Sequence, residues 1–203
     1  MDDKFMQMTE QPVKKLVMKL AVPTTISMMV SALYNMADTY FVGTVGTQAT
    51  GAVGVVFSVM TVIQAVGFFL GHGSGNYISR KLGAQKKEEA DIMAATAFVY
   101  SLVLGTLFAI FGLIFISPLS RLLGSTETIL PYTKSYLRYI LLGTPFMMGS
   151  FVLNNQLRFQ GNAFYGMFGM TTGAVLNIVL DPILIQGFGM GVAGAGLATM
   201  ISQ

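Results

Sequence analysis

The sequence predicts an all-α integral membrane protein, and two observations support that fold class. Of the 203 residues, 53% are hydrophobic and only 10% are charged, whereas a soluble domain carries roughly 25% charged residues. Long apolar runs also alternate with short polar connections. Because backbone groups in hydrocarbon must hydrogen-bond within their own segment, such runs are expected to form helices.

Five apolar runs are long enough to cross a bilayer, since about 20 residues span its hydrocarbon core. A sixth begins near Val192 and reaches only Gln203, too short for ~30 Å at 1.5 Å per residue. We therefore expect the sixth helix to be incomplete and the chain to be a fragment; a re-entrant or surface helix is the alternative. The predicted spans within this single unit, residues 1–203, are 16–41, 49–78, 92–117, 135–157, 164–186 and the incomplete 192–203.

The connections separate these spans in order. A glycine-rich turn containing Gly43 and Gly46 lies between the first and second spans. The charged run RKLGAQKKEEAD, residues 80–91, must lie in water between the second and third. The fourth span ends near Arg158, and a second glycine-rich turn follows the fifth. Toward the inner end of the fourth span, three consecutive polar residues interrupt the apolar run: Asn154, Asn155 and Gln156.

The basic residues predict the orientation, because cytoplasmic connections carry an excess of Lys and Arg. If the N-terminus is cytoplasmic, nine basic residues lie on the inner side and three on the outer side. We therefore expect a multi-pass protein of the cell (inner) membrane whose odd-numbered spans run outward. The inner residues are Lys4, Lys14, Lys15, Lys19, Arg80, Lys81, Lys86, Lys87 and Arg158, and the outer residues are Arg121, Lys134 and Arg138.

Two carboxylates remain inside the predicted spans. Of the nine acidic residues, only Asp38 and Asp181 lie in spans, both in the outer half. A lone Asp at the centre of a membrane helix costs about 2.5–3.5 kcal/mol, so such a side chain is expected to face protein or a wet cavity. Asn35 precedes Asp38 by three residues, and Asn177 precedes Asp181 by four. Because residues at these spacings are neighbours on a helix, the pattern predicts a shared, wet interior.

Two structural alternatives remain open for these carboxylates. Lys134 and Arg138 lie at the outer end of the fourth span, at the same predicted depth, and could neutralise either carboxylate in a buried ion pair. Alternatively, Asp38 lies among lipid headgroups, where a carboxylate costs little. A cavity accounts more readily for Asn177 beside Asp181.

The predicted chemistry is exchange of a small cation. Two carboxylates can bind and release a proton, and a Na⁺ ion could instead sit among Asp38, Asn177 and Asp181, whose oxygens are suitable ligands for a hard cation. Either event neutralises the site, with H⁺ or Na⁺ as the bound ion and no other cofactor.

Three prolines lie inside predicted spans: Pro23, Pro145 and Pro182. A proline in a helix interior removes one hydrogen bond and clashes with the carbonyl four residues earlier. Because Pro182 directly follows Asp181, the expected kink and the charge coincide. A static bend is the alternative for each proline.

No enzyme motif is present. The sequence lacks HExxH and GxSxG, contains no cysteine, and has no basic and aromatic surface for nucleic acid. An intramembrane aspartyl protease also uses two carboxylates as acid and base. Its second Asp normally follows Gly-x-Gly, whereas Asp181 follows Ile178-Val179-Leu180.

Several stretches, taken together in this order and spacing, resemble the N-terminal half of a MATE (multidrug and toxic compound extrusion) transporter. They cover nearly the whole chain. The matching pieces are Pro23, NMADTYFVGTVG (35–46), ISRKLGAQKKEEA (78–90), LRFQGN (157–162), NIVLDPILI (177–185) and GVAGAGLATMIS (191–202).

The resemblance implies twelve helices in two lobes, of which this chain would supply the first and lack the second, C-terminal lobe. It implies a transporter embedded in the lipid bilayer that exports organic cations and drugs in exchange for H⁺ or Na⁺ as the coupling ion, an antiport by competition for shared negative charge, and a bend of the first helix at Pro23. A truncated fragment that does not transport, and a flippase of the wider superfamily, are the alternatives. The implied cation-binding residues are Asp38, Tyr136, Asn154, Asn177, Asp181 and Thr199.

Overall fold

The computed structural model describes residues 11–203, and within that range it contains helices and no strand. This confirms the predicted all-α fold. Five of the helical segments are long and apolar enough to cross a membrane. The prediction that Lys4 lies on the inner side concerns a residue outside the described range. The helices are α1 (Val13–Gly43), α2 (Thr47–Gly83), α3 (Lys87–Ile114), α4 (Ile116–Leu122), α5 (Leu130–Phe159), α6 (Ala163–Pro182), continued by a π-helix (Ile183–Gly187), and α7 (Val192–Ser202).

Short connections give the bundle two distinct ends. Residues 44–46, 84–86 and 160–162 join consecutive long helices, so neighbours along the chain run in opposite directions. We call the end with residues 44–46, 115–129 and 188–191 the loop-rich end, and the end with residues 84–86 and 160–162 the lysine-rich end. At the lysine-rich end, Glu89 forms salt bridges with Lys81 (2.5 Å) and Lys86 (2.9 Å), which fix the turn between α2 and α3.

Helix α5 lies at the centre of the bundle and packs closely on its neighbours through small residues. A Cβ added to Gly67 of α2 would lie 2.8 Å from the Phe151 Cβ, and one added to Gly105 of α3 would lie 2.6 Å from the Pro145 Cα. Such approaches are typical of membrane helix interfaces. Leu137 and Ile140 of α5 lie at the centre of the resulting apolar core.

Helix α1 is the least enclosed of the long helices. Only Ser27, Asp38 and Val42 are buried along its 31 residues, and it packs mainly on α6. The residues of α1 that do contact protein therefore lie mostly in its loop-rich half, close to Asp38.

The outer end of the third predicted span, 92–117, crosses a break between two helices. Helix α3 ends at Ile114, and after a break at Phe115 the separate helix α4 begins at Ile116. Pro118 explains the break, because it has no N–H to donate to the Ile114 carbonyl and is tolerated only in the first turn of a helix.

Candidate functional site

The two carboxylates inside the bundle lie in its loop-rich half. Asp38 is on α1, five residues before that helix ends at Gly43, and Asp181 is next to the last residue of α6. Asp38 is 6% exposed and Asp181 is 0% exposed. The two side chains are near enough to interact electrostatically. Neither points into the surrounding lipid.

Tyr136 and Thr199 connect Asp38 to the rest of the bundle. The Tyr136 hydroxyl donates to Asp38 Oδ2 at 3.4 Å. The same hydroxyl is within hydrogen-bonding reach of the Thr199 side chain on α7. Tyr136 is 1% exposed, as is Thr199. This arrangement joins α1, α5 and α7 at one point beside the carboxylate.

Several polar atoms of the cluster are buried without a partner. Asp38 Oδ1, both carboxylate oxygens of Asp181 and both polar side-chain atoms of Asn177 make no hydrogen bond within the described part of the chain. Buried polar groups in proteins are nearly always hydrogen-bonded, so these atoms are candidate ligands for a bound ion or water. An incoming proton or cation would satisfy these oxygens.

The ion-pair alternative does not describe this geometry. Among residues 11–203, salt bridges join Glu89 to Lys81 and Lys86, and Glu127 to Arg121. Neither Lys134 nor Arg138 forms one with Asp38 or Asp181. The headgroup alternative for Asp38 also fits poorly, because this side chain is buried in protein beside Tyr136.

A polar cavity of about 280 Å³ approaches the carboxylates from the lysine-rich side. It lies between α1, α2, α5, α6 and the end of α7. Asn177 lines it, one helical turn before Asp181. The other polar side chains of its wall include Tyr34, Asn35, Gln64 and Asn154. The cavity therefore offers hydrogen-bonding groups, and the carboxylates of Asp38 and Asp181 lie just outside its lining, beyond Asn177.

The three polar residues near the end of α5 point in different directions. Asn154 lines the cavity, and its Nδ2 donates to the Gly166 carbonyl at 2.8 Å. Asn155 packs on Gly71 of α2. The Gln156 Nε2 donates to Ser74 Oγ at 3.2 Å and to the Ala94 carbonyl at 3.3 Å, which ties α5 to α2 and α3. Only Asn154 therefore belongs to the cavity.

Gln64 and Ser150 are among the cavity residues that the sequence reasoning missed. Gln64 could have been found, because it is the only amide or charged residue between Ala49 and Gly71. Ser150 carried no such signal, since a hydroxyl can satisfy itself on the backbone of its own helix.

The prolines have different local effects. Helix α1 continues through Pro23, and Ser27 Oγ donates to the Pro23 carbonyl at 2.9 Å. After Pro182 the α-helical pattern ends and the π-helix begins. A π-helical turn is rare and is often found at functional sites. The irregular segment therefore directly follows Asp181.

The cluster offers oxygen donors to a cation. Asp38, Asn177 and Asp181 offer only hard oxygen donors, as Na⁺ prefers. Within the described residues, no group of three or more His, Cys, Asp or Glu side chains could hold a metal ion. A proton on the carboxylate pair is equally compatible with the unpartnered oxygens.

The family model for MatE matches residues 23–183. The chain belongs to this family. It is 33% identical over 203 residues to the multidrug export protein MepA of Staphylococcus haemolyticus, covering 100% of this chain and 45% of that protein. It also matches MATE crystal structures in the straight conformation (36% identity, TM-score 0.92, 99% of this chain and 44% of that one) and the bent conformation (37% identity, TM-score 0.91, 99% and 45%).

These matches establish two further points about the chain. It is a multi-pass membrane protein, as its apolar helices and its family membership agree. It also spans about 45% of the length of the curated relative, which corresponds to the N-terminal lobe of a MATE fold.

Proposed function

We propose that the protein containing this lobe is a secondary active antiporter, not an enzyme, that exports organic cations and drugs in exchange for H⁺ or Na⁺. Membership of the MatE family and the name of the related multidrug export protein support export. The observation that carries the coupling mechanism is the buried pair Asp38 and Asp181, which forms no salt bridge with any of residues 11–203 and lies near a polar cavity.

In this mechanism Asp38 and Asp181 supply the exchangeable negative charge. Asn177 lies between the cavity and Asp181 and offers an amide oxygen to an incoming cation. Tyr136 and Thr199 hold Asp38 in place through the shared hydroxyl contact. Asn154 contributes to the cavity wall against which a substrate would pack.

Competition then couples the two fluxes. A cationic drug in the cavity is attracted by the carboxylates, because charges attract strongly where water is excluded. When H⁺ or Na⁺ neutralises the pair, that attraction is lost and the drug is released. Transport requires that binding of the coupling ion lowers the affinity of the site for the drug, and that binding of the drug lowers its affinity for the ion.

Helix α1 is the element that we propose changes shape. It carries both Asp38 and Pro23, and few of its residues are buried. Pro23 leaves the Lys19 carbonyl without its usual helical partner, which lowers the cost of bending there. Related MATE structures described as straight and bent support a change of conformation in this chain as well.

We further propose that the lysine-rich end faces the cytoplasm of a cell membrane and that a second lobe completes the substrate pathway. The basic residues at the ends of α2 and α5 support this orientation through the positive-inside rule. The coverage of 45% of the relative supports a second lobe.

The experiment measures drug efflux by the full-length protein in vesicles under an imposed H⁺ or Na⁺ gradient. Asp38→Asn and Asp181→Asn keep the side-chain shape but remove the charge, and each is expected to abolish gradient-driven efflux. Glu127→Gln is the matched control, because Glu127 is an exposed acid at the same end of the bundle. Wild-type efflux in both Asn variants would refute the mechanism.

A further inference from the structure

A second cavity lies on the opposite side of α2 from the polar cavity. It is an open groove of about 500 Å³, formed by α2, α3, α4 and α5. Val66 lines this groove, whereas Gln64, two positions earlier, lines the polar cavity. Since two positions on a helix point about 200° apart, the two cavities open on different faces of the bundle.

All of the side chains that line the groove are apolar. Leu104, Leu107 and Phe111 of α3 form one wall, and Met148 of α5 is part of the floor. Phe111 is 60% exposed, so the groove is open to the surroundings of the bundle. Water would find no hydrogen-bond partner among these side chains, so the groove offers nothing to hold it.

The length and depth of the groove match one leaflet of a bilayer. On the α3 side its wall runs from Leu104, near the middle of the predicted span, to Phe115 at the loop-rich end. Phe115 lies 11 positions after Leu104, a rise of about 16 Å at 1.5 Å per residue, and half of a ~30 Å hydrocarbon core is about 15 Å. Leu119 of α4 closes the groove at its outer end.

The groove is continuous with the lipid-facing surface of α3. Val99, Val103 and Ile110 are 55%, 51% and 48% exposed and lie outside the groove lining. Apolar side chains exposed on a membrane helix face acyl chains. A lipid tail can therefore pass from this surface into the groove without crossing a polar barrier.

We propose that the groove is a binding site for one acyl chain of a membrane lipid in the leaflet at the loop-rich end. The tail lies along Leu104, Leu107 and Phe111, with its carboxyl end near α4 and its methyl end near Val66. Binding there replaces an open void by van der Waals contacts, which a close-packed interior would otherwise lose. The site is independent of the proposed transport mechanism, since it contains none of the residues assigned to it.

The test uses the full-length protein in vesicles doped with a phospholipid that carries a photoreactive diazirine near the end of one tail. After irradiation, peptide mapping locates the cross-links. The expected labelling concentrates on residues lining the groove and exceeds that at Val99 and Ile110 several-fold. Uniform labelling of every exposed apolar position of α3 would show bulk lipid only and would overturn the proposal.

Two tryptophan variants sharpen the result. Leu107→Trp fills the groove and is expected to reduce groove labelling several-fold, whereas Ile110→Trp adds the same ring to the exposed face of the same helix and is expected to leave it unchanged. Retained drug efflux shows that each variant is folded. Equal labelling of both variants would overturn the proposal. If Leu107→Trp does not fold, the wild-type labelling pattern still decides the question.

Discussion

Gly194 of α7 holds the π-helix beside Asp181 in place, and replacing it by alanine is expected to disturb the site through packing alone. An added Cβ would lie 2.7 Å from the Leu184 carbonyl carbon, 2.8 Å from the Leu184 oxygen and 2.9 Å from the Ile185 nitrogen. These are backbone atoms of the π-helix, so no side-chain rotation can relieve the contact. The whole segment after Pro182 must shift.

The magnitude follows from a comparison with a matched glycine. Gly54 of α2 is also helical, but an added Cβ there meets nothing within 4 Å. Ala gains about 0.5–1 kcal/mol over Gly in a helix interior, so Gly54→Ala is expected to be neutral or slightly stabilising. In Gly194→Ala the same helix preference raises the free energy of unfolding by at most that amount, whereas overpacking lowers it by about 1–3 kcal/mol. We therefore expect Gly194→Ala to be less stable than Gly54→Ala by about 1–3 kcal/mol.

The assay is the apparent melting temperature of the full-length protein in detergent, followed by size-exclusion chromatography after heating. At about 2–4 °C per kcal/mol for a unit of this size, the two variants should differ by roughly 2–12 °C. Gly194→Ala should also lower efflux, because Asp181 moves with the π-helix. Equal melting temperatures for the two variants would contradict the packing described for this contact.

Three further outcomes are expected. Saturating Na⁺ or low pH should raise the melting temperature of the wild type but not that of Asp181→Asn, because a ligand that binds only the folded state stabilises it by mass action. An equal rise in both proteins would mean that the ion binds elsewhere. Gln156→Ala should lower the free energy of unfolding by about 1–3 kcal/mol, because it removes the hydrogen bonds to Ser74 and Ala94. The ratio of efflux rates for different drugs should stay unchanged, and a changed ratio would mean that Gln156 contacts the substrate. A cysteine introduced at exposed Glu88 should react with an impermeant maleimide only from the cytoplasm, and one introduced at exposed Thr126 only from outside the cell. The reverse labelling pattern would exclude the proposed orientation.

The buried acidic residues could be predicted from sequence because charge in a membrane span is rare and costly. Asp38 and Asp181 are conspicuous against apolar neighbours, and the Asn177 spacing placed an amide on the same helix face. The depth of both carboxylates also followed from simple counting along the helices. These residues could be identified because a charged side chain in a membrane span costs free energy, and no detail of helix packing was needed.

The cavity could not be predicted with the same certainty, because its wall depends on how each helix is rotated. Asn154 and Asn155 are adjacent in sequence, yet one lines the cavity and the other packs on Gly71. One position turns a helix by about 100°, and α5 is surrounded by protein on several sides, so its apolar pattern does not define a single face. The break near the outer end of the third span depends on a single residue, Pro118, which the apolar pattern does not reveal.

The packing around the two carboxylates suggests which helix responds when the pair is neutralised. Asp181 is followed at once by Pro182 and a π-helix that is wedged against Gly194, so its backbone has little room to move. Asp38 lies 15 residues beyond Pro23, about 22 Å along a helix, on the helix with the fewest buried residues for its length. Near Asp38, α1 is held by the long contact from Tyr136 and by the hydrogen bond from Gln186 to Thr44 at 3.2 Å. We therefore expect neutralisation of the pair to move α1 rather than the π-helix after α6, because within residues 11–203 α1 combines few buried side chains with a proline distant from the carboxylate.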